Sequence, residues 1–461
     1  MYRTQHAATL QQKRIRKQAM TNDSYSFFNF LSSDDLLDKV ESLLPEHRER
    51  LFPPTETLSM FLAQAMNTDR SCQNVVNDSS VKRLMGGFPL CSTHTGAYCR
   101  ARKRLPLEMI TTLTSFTGRC VAERTPESWL WQGRPVRLVD GTTVSMPDTQ
   151  ANQASYPQPH SQKPGLGFPL CRLVGIICLS SGALLNASMA AHKGKGGDEQ
   201  ALLRSMLDTL QPDDILLGDA YYATYFLLCS LQEKGVDGVF EQQGARRRCT
   251  DFRRGQPLGK RDHLMEIVKP KIKPAWMSQA YYEQAAESIT VRELAVGGKV
   301  LVTTLLYPKQ TSKNDLKTLY RNRWHIELDL RNIKTTLGMD VLSCKTPEMV
   351  VKEIWVYLLA YNLIRLLMAQ AAQLANVLPR QLSFKQTLQL WLVWRQINHV
   401  NDNEIAGHLF ILIAQQRVGN RQGRIEPRAV KRRPKPYPLL TKTRKIAQEE
   451  IRENGHAKKL K

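Results

Sequence analysis

Two short apolar runs that each lead into an aspartate constrain the fold of this chain more than any other feature. Residues 136–140 run Val-Arg-Leu-Val-Asp, and residues 214–219 run Asp-Ile-Leu-Leu-Gly-Asp. Both runs have the length and the branched side chains of buried strands. We therefore expect each strand to end at its aspartate, Asp140 in the first and Asp219 in the second, because strand ends are where a sheet presents functional groups.

Further strands and helices surround these two runs. Residues 170–179 and 183–190 are expected to pair as a hairpin, and helices are expected over 197–210 and 222–234. Between 242 and 309 the sequence alternates around Gly297-Gly298, which predicts a β-rich insertion. A long helix follows from near 314 to about 337, ended by Gly338. The pattern predicts an α/β protein with a mixed sheet and flanking helices.

Four segments are expected along the chain. Residues 1–25 are polar and basic, and predict a disordered arm. Residues 26–130 have helical spacing and predict an all-helical N-terminal domain. Its basic stretch 93–105, which includes Arg102, could contact a phosphate backbone or form an ordinary solvated helix face. Residues 131–415 form the predicted α/β domain, followed by a basic C-terminal tail over 416–461.

The charge balance points to a polyanionic partner. The chain has 65 Lys and Arg against 42 Asp and Glu, a formal net charge of +23. An excess of this size favours nucleic acid as the partner. A merely soluble basic protein has the same signature, so the choice of activity depends on the residues of a site.

The cysteines and the apolar stretches indicate the cellular compartment of the protein. Its nine cysteines show no C-x-x-C spacing, which argues against a zinc module or a disulfide framework and for a reducing compartment. The N-terminus lacks the apolar region of a secretory signal. The longest apolar stretch, 354–368, is interrupted by Asn362 and Arg365 and is shorter than the roughly 20 residues of a membrane span. We expect a cytoplasmic protein without a membrane partner.

A third acid on the predicted long helix changes how the two aspartates are interpreted. Taken singly, Asp140-Gly141 is a good turn and Asp219 a good helix cap. On the helix, however, Tyr320, Arg323, Glu327 and Lys334 fall within roughly 60° of arc at about 100° per residue. Such a face suits phosphate and a metal ion. Spacing alone leaves open an exposed helix whose Arg323 and Glu327 form an i,i+4 ion pair.

The same residues carry a family resemblance. The pattern Tyr-x2-Arg-x3-Glu-x6-Lys at 320–334 resembles the signature of the DDE transposases of bacterial insertion sequences that form the IS-four family. The segments at Asp140-Gly141-Thr142 and Gly218-Asp219-Ala220 resemble the other two acidic motifs of that family. The basic block at 421–442 resembles its C-terminal region. The resemblance spans about 134–442 with the motifs in order, which makes a chance match improbable.

This resemblance implies a fold, a reaction and a site. The fold is a ribonuclease-H-like core with a β-rich insertion before the last catalytic helix. The reaction is cut-and-paste transposition of double-stranded DNA, through a hairpin intermediate, by a homodimer on paired DNA ends. Asp140, Asp219 and Glu327 would be catalytic and would bind two Mg²⁺ ions, with Mn²⁺ as a substitute. Tyr320, Arg323 and Lys334 would bind DNA.

Departures and alternatives stay open at this point. Many members have arginine after the second aspartate, whereas this chain has Ala220. Trp276 is a candidate to trap a flipped base, with packing inside the insertion as the alternative. Glu199 is interpreted as a helix-start residue, and Lys193 and Lys195 as solvated loop residues. The alternative functions are a ribonuclease-H-like nuclease without strand transfer and a catalytically inactive DNA-binding relic.

Overall fold

The computed structural model describes residues 38–40, 42–45, 51–89, 91–160, 162–192, 194, 196–244, 246, 250–396, 403–419 and 442–454. The expected N-terminal arm at 1–25 lies outside the described residues. So do Lys193, Lys195 and most of the expected basic tail. Everything below refers to the described residues.

The N-terminal part is helical, as expected. Pro54, with its fixed φ, begins the helix Pro54–Met66, and the hydroxyl of Ser71 caps the helix Cys72–Met85 by accepting from the backbone N–H of Asn74. Arg102 is not on a solvated face: it is 8% exposed and stacks on the rings of Phe61 and Tyr98. The helices are α1 (Pro54–Met66), α2 (Cys72–Met85), α3 (Gly96–Arg104) and α4 (Leu107–Glu123).

A single mixed sheet of nine strands forms the centre of the molecule. Its spatial order is β3-β2-β1-β4-β5-β9-β8-β7-β6. The strands are β1 (Val136–Ser145), β2 (Leu170–Cys178), β3 (Leu184–Ala191), β4 (Ile215–Gly218), β5 (Asp237–Glu241), β6 (Gln256–Gly259), β7 (Asp262–Val268), β8 (Ser288–Val296) and β9 (Lys299–Thr303).

Strand direction divides this sheet into two parts. β1, β2 and β3 form an antiparallel meander, while β4 pairs parallel to β1 and β5 parallel to β4. This first part confirms the expected ribonuclease-H-like α/β fold class. The β-rich insertion supplies β6 to β9, and β9 pairs antiparallel with β5. The insertion therefore extends the same sheet beyond β5 and does not form a separate layer.

Helices cover both faces of the sheet. One face packs against α4, α10 (Trp324–Arg331) and α11 (Pro347–Leu374) in one apolar core, and the other packs against α6 (Glu199–Arg204) and α7 (Tyr225–Glu233) in a second. The remaining helices are α5 (Gln150–Ser155), α8 (Gln279–Gln284), α9 (Lys313–Arg321), α12 (Phe384–Trp394), α13 (Asn403–Gln415) and α14 (Arg444–Asn454). α14 lies within the predicted basic tail.

The N-terminal helix α4 lies directly on the sheet. Gly118 allows this approach, because a Cβ at that position would collide with the backbone oxygen of Leu184 in β3. Asn362 of α11 joins the two elements: its amide donates to the oxygens of Thr114 and Leu184 at 2.8 Å each. The described part of the predicted N-terminal domain thus shares a core with the sheet. The predicted domain boundaries themselves stay a prediction.

The central helix α11 explains the longest apolar stretch of the sequence. By length and composition alone it could cross a membrane, but 89% of its most apolar window is buried inside the protein. Asn362 and Arg365, which interrupt the stretch, are 0% and 3% exposed and are hydrogen-bonded. Their polar groups therefore have partners within the core.

The prediction of one continuous helix over 314–337 is wrong. The helix begins as predicted, at a capping box between Ser312 and Asp315. It then divides into α9, α10 and a π-helical turn, Asn332–Thr336, before Gly338 ends it at φ +88°. Between α9 and α10 the backbone tightens to i→i−3 hydrogen bonds, while the π turn is wider than an α-helix. Both changes alter the angle per residue, so the predicted single face is not continuous.

Candidate active site

The first two acids lie level with each other on neighbouring strands. In the parallel pairing of β1 and β4, Leu138 is opposite Leu217. Asp140 and Asp219 each follow two residues later, so the register places both at the same edge of this strand pair. Asp140 does not end its strand as predicted, because β1 continues to Ser145. Pairing with β2 supports these extra residues, and it also excludes the alternative turn at Asp140-Gly141.

Each aspartate is oriented by a backbone amide. One carboxylate oxygen of Asp140 accepts from the N–H of Gly141 at 2.8 Å. One oxygen of Asp219 accepts from the N–H of Tyr221, also at 2.8 Å, and caps the short 3₁₀ turn Ala220–Tyr222. Asp219 is therefore a cap, but of this 3₁₀ turn and not of the helix expected from 222, which begins at Tyr225 after Thr224. Capping uses one carboxylate oxygen of Asp219, so the other oxygen can still act in a site.

Arg323 joins the third acid to the first. Its guanidinium donates to Glu327 at 2.9 Å and lies 3.8 Å from Asp140. The first distance confirms the i,i+4 ion pair that was one interpretation of this helix. The second distance was not visible in the sequence. Together the two contacts bring Glu327 on α10 to the edge of the sheet where Asp140 and Asp219 lie.

Tyr320 and Lys334 lie on either side of this centre. The hydroxyl of Tyr320 is 3.4 Å from the carboxylate of Glu241 at the end of β5. The ammonium of Lys334 donates to the backbone oxygen of Thr143 at 2.8 Å and to the hydroxyl of Thr142 at 3.2 Å. Lys334 is thus held against β1, just beyond Asp140. Burial lowers the pKa of Lys334 from its ordinary value.

A basic pocket opens beside Arg323. Its volume is about 250 Å³, and it lies between the β8–β9 turn and the helices α9 and α10. Trp324, at 53% exposed, forms part of the wall. A pocket with several cations and aromatic rings suits a nucleotide phosphate and base. The lining residues are Val296, Gly297, Lys299, Lys317, Tyr320, Arg321, Arg323 and Trp324.

A fourth acid, Glu199, lies at the same centre. Its carboxylate covers the backbone of Gly141, since a Cβ on Gly141 would lie 2.6 and 2.8 Å from the two carboxylate oxygens of Glu199. Sequence reasoning gave this residue only a helix-start role. It does begin α6, and its carboxylate also covers Gly141 on β1, beside the hydroxyl of Tyr222. The signal that could have found it is an acid on the first helix after the antiparallel meander.

Burial and nearby like charges raise the pKa of Asp140. Burial is the largest cause, and the nearby carboxylates of Asp219 and Glu199 add to it, while the Gly141 amide and Arg323 oppose it. The result is a pKa of about 6, against an ordinary value of 3.8. Three carboxylates therefore lie close enough to repel one another. Positive charge at this point would relieve the repulsion.

The raised pKa of Asp140 predicts that the free energy of unfolding depends on pH. Because the folded state raises the pKa of Asp140 to about 6, it binds the proton more tightly than the unfolded chain, so stability from this group increases as pH falls through about 6. Above that pH the ionised carboxylate is unfavourable. In EDTA at pH 8, Asp140→Asn should therefore raise the free energy of unfolding by about 1–3 kcal/mol. Urea unfolding at pH 8 and at pH 4 is the measurement. An equal gain at both pH values would contradict it.

The donor set suits a hydrated divalent cation. Among the described residues no three His, Cys, Asp or Glu side chains stand close enough to ligate one ion together. Mg²⁺, however, takes one or two carboxylates and fills its other positions with water and phosphate. Asp140 and Asp219, with oxygens at one edge of the sheet, fit that requirement. Glu327 is engaged by Arg323 instead.

Three further residues of this region have their own surroundings. Asp329, also on α10, is fully buried and paired with Arg365 and Arg380. His325 lies near the same arginines. Burial lowers the pKa of His325 to about 4, and the positive charge of Arg380 contributes to the decrease. Trp276 packs edge-on against Phe226 and lies 3.8 Å below the guanidinium of Arg204. These two partners lie on α7 and α6, outside the insertion, and 48% of Trp276 is exposed. Both interpretations of Trp276 therefore stay predictions.

Comparison with known proteins agrees with this geometry. Residues 131–363 match the family described as "Transposase DDE domain". The chain is 27% identical over 408 residues to the transposase InsG for insertion sequence element IS4 of Escherichia coli (strain K12), covering 86% of this chain and 89% of that protein. It is 30% identical over 145 residues to the putative transposase InsZ of the same organism, covering 31% of this chain and 46% of InsZ. The matched region contains the mixed sheet and all three acids, and the chain belongs to the DDE transposases of the IS4 family.

Proposed function

We propose that this transposase cuts double-stranded DNA at the ends of an insertion sequence and joins those ends to target DNA through a hairpin intermediate. Asp140, Asp219 and Glu327 are its catalytic acids and hold two Mg²⁺ ions, with Mn²⁺ as a substitute. The observation that carries the proposal is the convergence of the three acids: the β1–β4 register aligns two of them, and Arg323 joins the third to the first.

The chemistry needs a negatively charged centre on a rigid support. When bound, two divalent cations supply an activated oxygen nucleophile and stabilise the leaving oxygen of the phosphodiester. Asp140 and Asp219 orient their free oxygens toward that centre, because a backbone amide holds the other oxygen of each. Asp140 lies on β1 and Asp219 directly follows β4, and these strands are neighbours in the middle of the sheet. Their separation is therefore set by backbone pairing.

Arg323 has two roles in this proposal. Without cations its guanidinium partly neutralises Asp140 and Glu327, to which it is joined at 3.8 and 2.9 Å. With cations held by the acids, the guanidinium would be available to a DNA phosphate, which it can bind with two parallel hydrogen bonds. Glu327 would then be available as a ligand at the centre. Arg323 thereby links phosphate binding to assembly of the acids.

The surrounding cations are proposed to position the DNA. Tyr320 and Lys334 contact phosphates on either side of the cut, and the basic pocket next to Arg323 receives a nucleotide. The excess of Lys and Arg, 65 against 42 acids, supports a partner with a continuous negative charge. We further propose a homodimer on paired DNA ends, working in the cytoplasm, with residues 26–130 and the basic tail recognising the end sequence.

Lys334→Ala is expected to weaken binding to duplex DNA about tenfold, the effect of losing one charged hydrogen bond. The salt dependence of log K should become shallower by about one ion, because one phosphate contact is lost. Mn²⁺ affinity should stay within twofold of wild type. Fluorescence anisotropy across a salt series measures the first two quantities. Lys234→Ala, which removes a surface lysine paired with Asp208, is the matched control. Loss of Mn²⁺ binding in Lys334→Ala would show that its assigned role is wrong.

The deciding experiment is cleavage of an end-labelled duplex that carries the DNA flanking this chain's own coding sequence. Wild type and Glu327→Ala are compared in Mg²⁺ and in EDTA, and products are resolved on a denaturing gel. The proposal expects a nick followed by a hairpin in Mg²⁺ only, and neither product from the variant. Binding without cutting would instead identify a relic, and nicking without a hairpin would identify a nuclease that does not transfer strands.

A further inference from the structure

Arg70 connects the N-terminal helices to the turn that follows Lys334. It lies between α1 and α2, and its guanidinium occupies the space beside Gly338 that a Cβ on that glycine would overlap. One of its amino groups also donates to the backbone oxygen of Gly338 at 3.4 Å. Gly338, at φ +88°, ends the helical segment that carries Lys334. Two residues 268 positions apart in the chain are therefore in direct contact.

The turn that Arg70 covers holds the backbone of Lys334. The backbone N–H of Asp340, two residues after Gly338, donates to the backbone oxygen of Lys334 at 3.1 Å. Lys334 itself lies on the π turn, a wide backbone geometry that occurs mostly at functional sites. Its ammonium then reaches β1 and donates to the backbone oxygen of Thr143 at 2.8 Å. A shift of the turn at Gly338 would therefore move Lys334 relative to the candidate active site.

The backbone of Arg70 is in turn fixed by α1 and α3. The side-chain amide of Gln64 on α1 donates to the backbone oxygen of Arg70 at 2.7 Å. Gln64 is 5% exposed, and its oxygen accepts from the hydroxyl of Tyr98 at 2.9 Å and from Arg102 at 3.3 Å. Both donors lie on α3. The exposed cations of this helix are Arg100, Lys103 and Arg104. A continuous series of contacts therefore joins the basic helix α3 to Lys334.

The contact between Arg70 and the turn depends mainly on shape. The Nε of Arg70 is buried and has no hydrogen-bond partner in the part of the chain that the structure describes. The hydrogen bond to Gly338 is long, whereas the packing of the guanidinium over this glycine is close. A planar guanidinium can lie flat on a bare backbone, but the compact ammonium of lysine cannot cover the same area. The guanidinium group itself therefore holds the turn against the N-terminal helices.

We infer that Arg70 is a positioning residue for Lys334, through which the N-terminal helices determine where Lys334 meets a DNA phosphate. The inference rests on the proposed function, which assigns a phosphate contact to Lys334. It adds a residue that lies outside the matched DDE region, residues 131–363. The N-terminal helices thereby become part of the phosphate-binding site and are more than a separate DNA-binding unit.

The test is a double-mutant cycle on DNA binding by the full chain. Wild type, Arg70→Met, Lys334→Ala and the double variant are titrated in EDTA, across a salt series, with a fluorescent duplex that carries the flanking DNA. Methionine keeps the unbranched stem of arginine and removes its guanidinium. We expect Arg70→Met to weaken binding about threefold or more, and the double variant to bind within about twofold of Lys334→Ala. The salt dependence of the double variant should be lower than that of wild type by about one ion in total.

Two further variants separate positioning from other roles of an arginine. Arg83→Met is the matched control, because Arg83 is an arginine of α2 that stacks on Phe88 and pairs with Glu56. Any loss of affinity in that variant should add to the loss from Lys334→Ala. Arg70→Lys keeps the charge without the planar group and should bind as weakly as Arg70→Met. It replaces Arg70→Met in the cycle if that variant loses its cooperative thermal unfolding transition.

Three results would overturn the inference. They are wild-type binding by Arg70→Met, recovery of wild-type binding by Arg70→Lys, and a loss that adds fully to that of Lys334→Ala with about two ions lost from the salt dependence. The third result would show that Arg70 contacts a phosphate directly, while the phosphate contact of Lys334 stands. If Lys334→Ala itself binds DNA as wild type does, that part of the proposed function is wrong, and the role of Arg70 is overturned with it.

Discussion

Glu327→Ala is expected to lose at least about 10²–10³-fold in the rate of DNA cleavage, the scale on which a single electrostatic contact to a reacting centre acts. The physical reason is that Glu327 is the acid that α10 brings to Asp140 through Arg323, and alanine removes its carboxylate from the site. Single-turnover cleavage of the labelled end duplex in Mg²⁺ measures the loss.

Binding must be separated from cutting in this comparison. Glu327→Ala should still bind the duplex in EDTA with an affinity within about threefold of wild type, because phosphate contacts from Lys and Arg dominate affinity. Glu283→Ala, which removes an exposed acid on α8, is the matched control and should cut at the wild-type rate. If Glu327→Ala cleaved within threefold of wild type, the assignment of the third acid would be wrong.

Asp329→Ala is expected to reduce the free energy of unfolding by about 3–5 kcal/mol, the usual effect of removing one partner from a buried ion pair. Asp329 is fully buried, accepts from both Arg365 and Arg380, and has a distance of 2.7 Å to the Arg380 guanidinium. Alanine leaves two cations in a poorly solvated place. Urea denaturation monitored by circular dichroism gives the change.

The Asp329 prediction also concerns the site, because Asp329 is two residues from Glu327 on α10. Arg380 further donates to the backbone oxygens of Cys178 and Leu179, so this ion pair fixes α10 against the end of β2. Asp208→Asn, on the surface, is the control and should leave the unfolding midpoint unchanged. A loss below about 1 kcal/mol in Asp329→Ala would show that the buried arginines find other partners.

The local sequence pattern was sufficient to predict those elements whose stability depends on residues close to them in the chain. The β2–β3 hairpin was predicted within a few residues, and the β-rich insertion predicted around Gly297-Gly298 contains the β8–β9 hairpin. Alternation, helical spacing and turn glycines record which face of an element is buried. The order of the three acids was equally visible, because the motif around Glu327 is contained in one continuous stretch.

Contacts between distant residues determine where β1 ends, where the predicted long helix divides and where the Glu199 side chain lies. β1 continues past Asp140 because β2 pairs with it as far as Ser145. The predicted long helix divides at Arg323, whose guanidinium contacts Asp140, and again at the π turn that carries Lys334 to β1, a contact between residues 192 positions apart. Glu199 lies against β1 because Gly141 has no side chain to fill that space in the folded sheet. A sequence pattern records the average burial of each face, whereas the direction of one side chain depends on which distant residue it meets.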